Sequence, residues 1–274
     1  MRTLIIGDIV GRTGRNAVLE HLPGLIDRLS LDFVIANGEN ATHGFGLSPE
    51  HATALLGAGV DCIILGNHSF DRKEIIPMME SDDRILRPLN YPAGTPGRGH
   101  GVFTARNGLR VGVAQTIGRL FMNPDADNPF LGIDEVLAGW DEEPMAAVFV
   151  DSHAEATSEK MALGHYLDGR VTAVEGTHTH VPTADVQILP GGTAFQTDIG
   201  MTGDYDSVIG MTKESSIQRF TQVGERSKFG PAEGEATFCA LFVESDDATR
   251  LAIRAEPVRL GGRLSAALPE PAAA

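Results

Sequence analysis

The sequence predicts a mixed α/β sandwich, two β-sheets packed face to face with helices outside, in one domain. Three observations carry that expectation. Short β-branched runs alternate with helical patterns through the front of the chain, as βαβ units around a buried parallel sheet require. The back third carries a hairpin signal, ILPGGTAF (188–195), and two runs split by the polar turn SDDATR (245–250), which reads antiparallel. With 274 residues, 42% hydrophobic and 22% charged, the chain can bury a sizeable core.

In order, strands are expected at 3–8, 32–38, 62–67, 109–118, 146–153 and 171–178, each an apolar or β-branched run closed by polar or glycine residues. Later strands fall within 184–200, at 236–245 and at 251–260. A helix is expected over 14–30, with Pro23 bending or splitting it. A second covers 48–59, where Ser48 stands as N-cap and Pro49 at the first helical position. A third covers 157–170, capped by Thr157 or Ser158 and ending near Gly169. The domain spans 1–262, and the Pro/Ala-rich residues 263–274 are expected to be a flexible tail.

Lys and Arg total 22 against 37 Asp and Glu, a formal net charge of −15. Such a surface repels long nucleic acids and anionic membranes, which are bound mainly through Lys/Arg-to-phosphate contacts. A small phosphate-bearing ligand still fits if a local positive site exists. Cys62 and Cys239 lie in apolar runs, as buried reduced thiols of a cytoplasmic protein do. The N-terminus enters a strand directly, without signal-peptide architecture, and no apolar run has the length of a membrane span.

The residues at the end of each strand are the informative feature. LIIGD ends in Asp8, FVIANGEN in Glu39 and Asn40, CIILGNH in Asn67 and His68, VFVDSH in Asp151 and His153, VEGTHTH in His178 and His180. Ligand sites in open α/β sheets form outside the carboxyl ends of the strands, so these groups are expected in one crevice. In an extended chain His178 and His180 would share a face, and two imidazoles together in a core need polar partners. A divalent metal would satisfy both.

Asp8, Glu39, Asn40, Asn67, His153, His178 and His180 make seven candidate ligands, too many for one ion with an open position and enough for two sharing a carboxylate. Carboxylate, amide and imidazole donors together suit manganese, iron or zinc rather than calcium. Paired ions clamp both the attacking and the leaving oxygen of a phosphoryl displacement. Four positive charges against the two of Asp8 and Glu39 leave the pocket cationic, and phosphate fits. His153 competes with Asp151 as ligand, and imidazole suits the softer set better.

These motifs, GD, NGEN, GNH, DSH and GTHTH, resemble the calcineurin-like metallophosphoesterase superfamily. The longer stretches NGENATHGFGLS, HAEATSEKMALGHYLDGRVTAVEGTHTHVPTAD and DIGMTGDYDSVIG resemble its YmdB-like branch. The resemblance runs from Met1 to about Phe220. It implies a four-layer αββα sandwich, metal-dependent hydrolysis of 2′,3′-cyclic nucleotides to 3′-nucleotides, and a homo-oligomer. Val10 stands where the superfamily has a histidine, and Glu39 where it has a bridging aspartate; Asn40 then replaces the missing ligand.

Together with the ligand count, the resemblance assigns one ion to Asp8, Glu39, Asn40 and His180. The other goes to Glu39, Asn67, His153 and His178, with iron or manganese favoured and a hydroxide between the ions as nucleophile. His68, next to Asn67 but not a ligand, is placed as general acid. Asp151 then supports the ligands. His43 is open to a substrate contact or a surface-loop position. The loop 198–207 is open to a phosphate cradle or an ordinary connection. A phosphomonoesterase, a nuclease on short RNA, and a regulatory metal- or nucleotide-binding protein are the alternative functions.

Overall fold

The computed structural model describes residues 1–123, 125–140, 144–222 and 229–271. The front of the chain runs β1 (Arg2–Ile6), β2 (Asp8–Ile9), α1 (Gly11–Leu29), β3 (Phe33–Asn37), α2 (Pro49–Gly57), β4 (Cys62–Ile64), α3 (Ile76–Ser81) and β5 (Ile85–Leu86). The middle runs β6 (His100–Thr104), β7 (Arg110–Ile117), α4 (Pro129–Trp140), β8 (Ala147–His153), α5 (Thr157–Tyr166) and β9 (Ala173–Thr177). The back runs β10 (Gln187–Ile188), β11 (Ala194–Gln196), β12 (Met201–Asp204), α6 (Lys213–Thr221), β13 (Ala236–Ser245) and β14 (Ala252–Leu260).

Two mixed sheets result. The first is ordered β2-β12-β13-β1-β3-β4-β5, with β14 on the other edge of β13; β1, β3, β4 and β5 are mutually parallel. The second is ordered β10-β11-β9-β8-β7-β6, with β7, β8, β9 and β11 parallel and the edge strands β6 and β10 antiparallel. The buried runs Leu4–Ile6 and Phe33–Ala36 read as strands covered on both faces, as parallel strands are.

Three apolar layers glue the molecule. Ile5, Phe33, Ile35 and Ile64 of the first sheet meet Val111, Val113, Phe149 and Ala173 of the second. Val18, Leu22, Leu25 and Leu55 cover the outer face of the first sheet. Ile133, Leu137, Trp140 and Leu163 cover the outer face of the second. This is the four-layer αββα order. No described helix is long and apolar enough to cross a membrane.

Several local expectations need correction. Helix α1 is not split at Pro23; Leu22 and Leu25 on either side are buried, and that packing carries the helix past the missing N–H. Ser48 does cap α2, accepting from the His51 N–H at 3.3 Å. Helix α5 is capped by neither Thr157 nor Ser158: Ala156 is its N-cap, and both hydroxyl residues lie inside the first turn. After β14 the chain doubles back: Arg259 and Ala267 form a two-hydrogen-bond bridge, and Leu268 packs on the first outer core. Residues 272–274 of the expected tail lie outside the described residues.

Candidate metal centre

The parallel strands of both sheets release their polar residues at one edge. Gly7 stands between β1 and β2, where a Cβ would lie 1.9 Å from the Gly200 carbonyl oxygen. Asp8 comes next, fully buried; its Oδ2 accepts from the His178 N–H at 3.1 Å, while its Oδ1 is buried with no hydrogen-bond partner. Burial pushes its pKa up. Glu39 lies two residues past β3, its N–H held by Asn37 Oδ1 at 3.0 Å. Its Oε2 accepts from the His68 N–H at 2.9 Å, and its Oε1 lies 3.1 Å from His153 Nε2 and 3.3 Å from Asn40 Nδ2.

The second sheet supplies His153, the last residue of β8. Its Nδ1–H donates to Thr177 Oγ1 at 2.8 Å, and Thr177 in turn donates to Asp151 at 2.9 Å. Gln115 Nε2 also donates to Asp151, at 3.0 Å. Asp151 is therefore a support, and the relay turns His153 Nε2 towards the site, 2.9 Å from Asn67 Oδ1. Burial opposes charge on both His153 and Glu39. Their contact prevails, raising His153 to about 9 and lowering Glu39 to about 2. A cation taking that proton's place would be held by the same atoms.

His178 and His180 reach the centre by a route other than a shared strand face. Strand β9 stops at Thr177, and both histidines take left-handed backbone, with φ of 92° and 66°. The turn splits the pair. His178 joins His153 and Glu39, the three offering ligand atoms within 4.8 Å of one another. Burial, and then the charge on His153, push its pKa down to about 3, leaving the lone pair that coordination needs. Its Nε2 also lies 3.2 Å from Glu155 Oε2. His180 instead turns to Asp8 and Asn40, its Nε2 3.9 Å from Asp8 Oδ1 and 3.1 Å from Asn40 Nδ2. Its Nδ1 donates to the Ile209 carbonyl at 2.8 Å, which leaves Nε2 facing inward.

All seven candidate ligands thus converge, in two groups meeting at Glu39. The fit to a cation rests on three features. Asp8 Oδ1 is orphaned, and a buried polar atom without a partner is costly. A Cβ on Gly66 would sit 2.3 Å from His153 Nε2 and 2.4 Å from Glu39 Oε2, so only glycine leaves this space open. The donors mix carboxylate, amide and imidazole, a set transition metals accept.

His68 lies at the rim, its ring edge-on to Phe45 with centroids 5.0 Å apart. Its Nδ1 donates to Asp71 Oδ2 at 2.8 Å, so Nε2 is free to face a substrate. Sequence reasoning missed Asp71, although its spacing of three residues from His68 was the available signal. If His68 acts on substrate, Asp71→Asn should lower kcat roughly 10–100-fold by releasing its ring; unchanged steady-state rates would remove Asp71 from the machinery. His43 is exposed on the loop after β3, at φ 56°. The 198–207 segment contains β12, and its Gly200 N–H is spent on Asp198 Oδ1 at 2.8 Å. Thr177, Gln115, Lys160 and Asp198 were also missed.

The sequence matches the family described as YmdB-like protein over residues 4–258. It is 45% identical over 258 residues to the 2′,3′-cyclic-nucleotide 2′-phosphodiesterase of Bacillus subtilis strain 168, covering 94% of this chain and 96% of that protein. A Thermus thermophilus crystal structure, described as a hypothetical protein, superposes with a TM-score of 0.88 at 46% identity, covering 96% of this chain and 100% of that one. A crystal structure of a novel phosphatase from Mycoplasma pneumoniae superposes with a TM-score of 0.88 at 36% identity, over 95% and 93% of the two chains.

Proposed function

Because the chain belongs to the YmdB-like protein family, we propose that it is a dinuclear metal-dependent phosphodiesterase that opens 2′,3′-cyclic nucleotides to 3′-nucleotides. The observation that carries the reading is Glu39, a buried carboxylate whose Oε1 lies between the two ligand groups, 3.1 Å from His153 Nε2 and 3.3 Å from Asn40 Nδ2. Asp8, Asn40 and His180 stand on one side, and Asn67, His153 and His178 on the other. Two transition-metal ions bound there, iron or manganese by donor type, would acidify a water and neutralise the phosphate.

The chain's residues then divide the work. Asn67, Asn40 and the three histidines are neutral donors, so Asp8 and Glu39 alone oppose the charge of the ions and the pocket attracts a phosphodiester. Thr177 and Asp151 hold His153 in orientation, and the Ile209 carbonyl does the same for His180. Water attacks phosphorus as the bond from phosphorus to the 2′ oxygen breaks. His68, carrying a proton on both ring nitrogens, passes the one on Nε2 to that oxygen, while the water keeps one hydrogen as the new P–OH and loses the other to solvent. Asp71 keeps the His68 ring aligned for the transfer.

Replacing His68 by Asn should lower kcat on 2′,3′-cAMP about 10²–10⁴-fold, the usual worth of a positioned acid. Rates on an aryl diester, whose phenolate departs without a proton, should fall far less; equal losses on both would deny His68 the acid role. The reading as a whole is tested by initial rates on 2′,3′-cAMP, 3′,5′-cAMP and p-nitrophenyl phosphate with metal-loaded protein. The expected outcome is the highest kcat/KM on 2′,3′-cAMP with 3′-AMP as product. Preference for the aryl monoester would make it a phosphomonoesterase, and 2′-AMP as product would overturn the choice of bond.

A further inference from the structure

Lys160 is fully buried on α5, beneath a centre that the proposed function fills with cations. Its ammonium donates to the Thr177 carbonyl at 2.6 Å and to Asp198 Oδ2 at 2.7 Å. Asp198, buried in turn, accepts from the Thr179 N–H at 3.1 Å and the Thr179 hydroxyl at 2.7 Å, and its Oδ1 takes the Gly200 N–H. The Lys160 stem crosses directly over Gly176, where a Cβ would lie 2.8 Å from Lys160 Cδ. Residues 177 and 179, which flank His178 and lead into His180, are thus gripped by one buried ion pair.

That grip meets a need. His178 and His180 are non-glycine residues held at positive φ, a conformation that persists only where the surroundings over-determine it. The ammonium's charge, which alone would repel bound cations, is balanced by Asp198, and what the pair contributes to the turn is its geometry. We infer that Lys160 and Asp198 are positioning residues: their ion pair sets the Thr177–His180 turn in the shape that sends His178 to one ion and His180 to the other. One clasp serves both half-sites, so loosening it weakens both together. The inference rests on the proposed two-ion reading and concerns affinity and geometry rather than a chemical step.

Mn²⁺ is the probe. Binding is measured by isothermal titration, with metal content of the purified protein and thermal midpoint alongside. The variants are Lys160→Met, the charge-balanced pair Lys160→Met with Asp198→Asn, Thr179→Val, which removes only the hydroxyl bond, and Thr179→Ser, which keeps it. Affinity for both equivalents should fall about 10–100-fold in the ion-pair variants. Thr179→Val should show a smaller loss shared by both sites, with kcat restored at saturating Mn²⁺, and Thr179→Ser should match wild type. Should the Lys160 variants not fold, Thr179→Val against Thr179→Ser decides alone. Wild-type affinity in folded variants, or tighter binding by Lys160→Met as expected of a purely repulsive charge, overturns the inference. Wild-type protein that binds no Mn²⁺ overturns instead the two-ion reading.

Discussion

Glu39→Gln should abolish most turnover and take both ions with it. The amide matches the carboxylate in size, so the packing around it is kept and the change isolates charge and lone pairs. Glu39 is the residue on which the two ligand groups meet: Oε1 faces His153 and Asn40, and Oε2 faces the His68 backbone. A glutamine offers one neutral oxygen in place of two anionic ones, which cannot serve two cations. Supporting partners of metal ligands cost roughly 10–100-fold when removed, so the loss here should exceed about a hundredfold in kcat/KM. Metal content per chain on the purified variant is the decisive companion measurement. Activity near wild type, or two ions retained with undiminished affinity, would remove Glu39 from the bridging position.

Gly66→Ala should be nearly as damaging, for a purely steric reason. The added methyl would lie 2.3 Å from His153 Nε2, 2.4 Å from His153 Cε1 and 2.4 Å from Glu39 Oε2. None of these is the loose end of a surface side chain: both residues are buried and hydrogen-bonded. Something must move, and what moves is the centre. Overpacking of this kind costs about 1–3 kcal/mol, which for a chain of this size lowers the thermal midpoint by several degrees. The activity loss should be far larger than that stability loss explains, at least about tenfold in kcat/KM at 25 °C, where the protein remains folded. Gly57→Ala is the control, since its Cβ would meet nothing within 4 Å, and it should leave metal content and rate unchanged. A Gly66→Ala protein with full metal content and wild-type kcat would show that the space beside Glu39 and His153 is not part of the site.

The candidate site was more legible than some of the elements around it. Asp8, Glu39, Asn67 and His153 each close or closely follow an apolar run, and the C-terminal rule for parallel sheets brings such residues together without knowledge of the tertiary fold. Strands β3, β7 and β8 were legible for the same reason. Strand β5 has only two residues, and β12 reads MTGD, where glycine and polar residues mask the pattern. Helix α6, KESSIQRFT, has little apolar content to signal it. The backbone of the histidine pair was misread because a strand-like run gives no local sign of stopping at Thr177. What stops it is Lys160, seventeen residues upstream, and Asp198, nineteen residues beyond Thr179. A lysine on a helix ordinarily faces water, and its burial here is decided by what α5 packs against.

The centre straddles the seam between the sheets: Asp8, Glu39 and Asn67 arrive from one slab, His153 and His178 from the other. A slide of one slab past the other by an ångström would therefore pull the two groups of candidate ligands apart. The close-packed inter-sheet core of Phe33, Ile35, Val113 and Phe149 resists such shear and holds the two sets of candidate ligands in register.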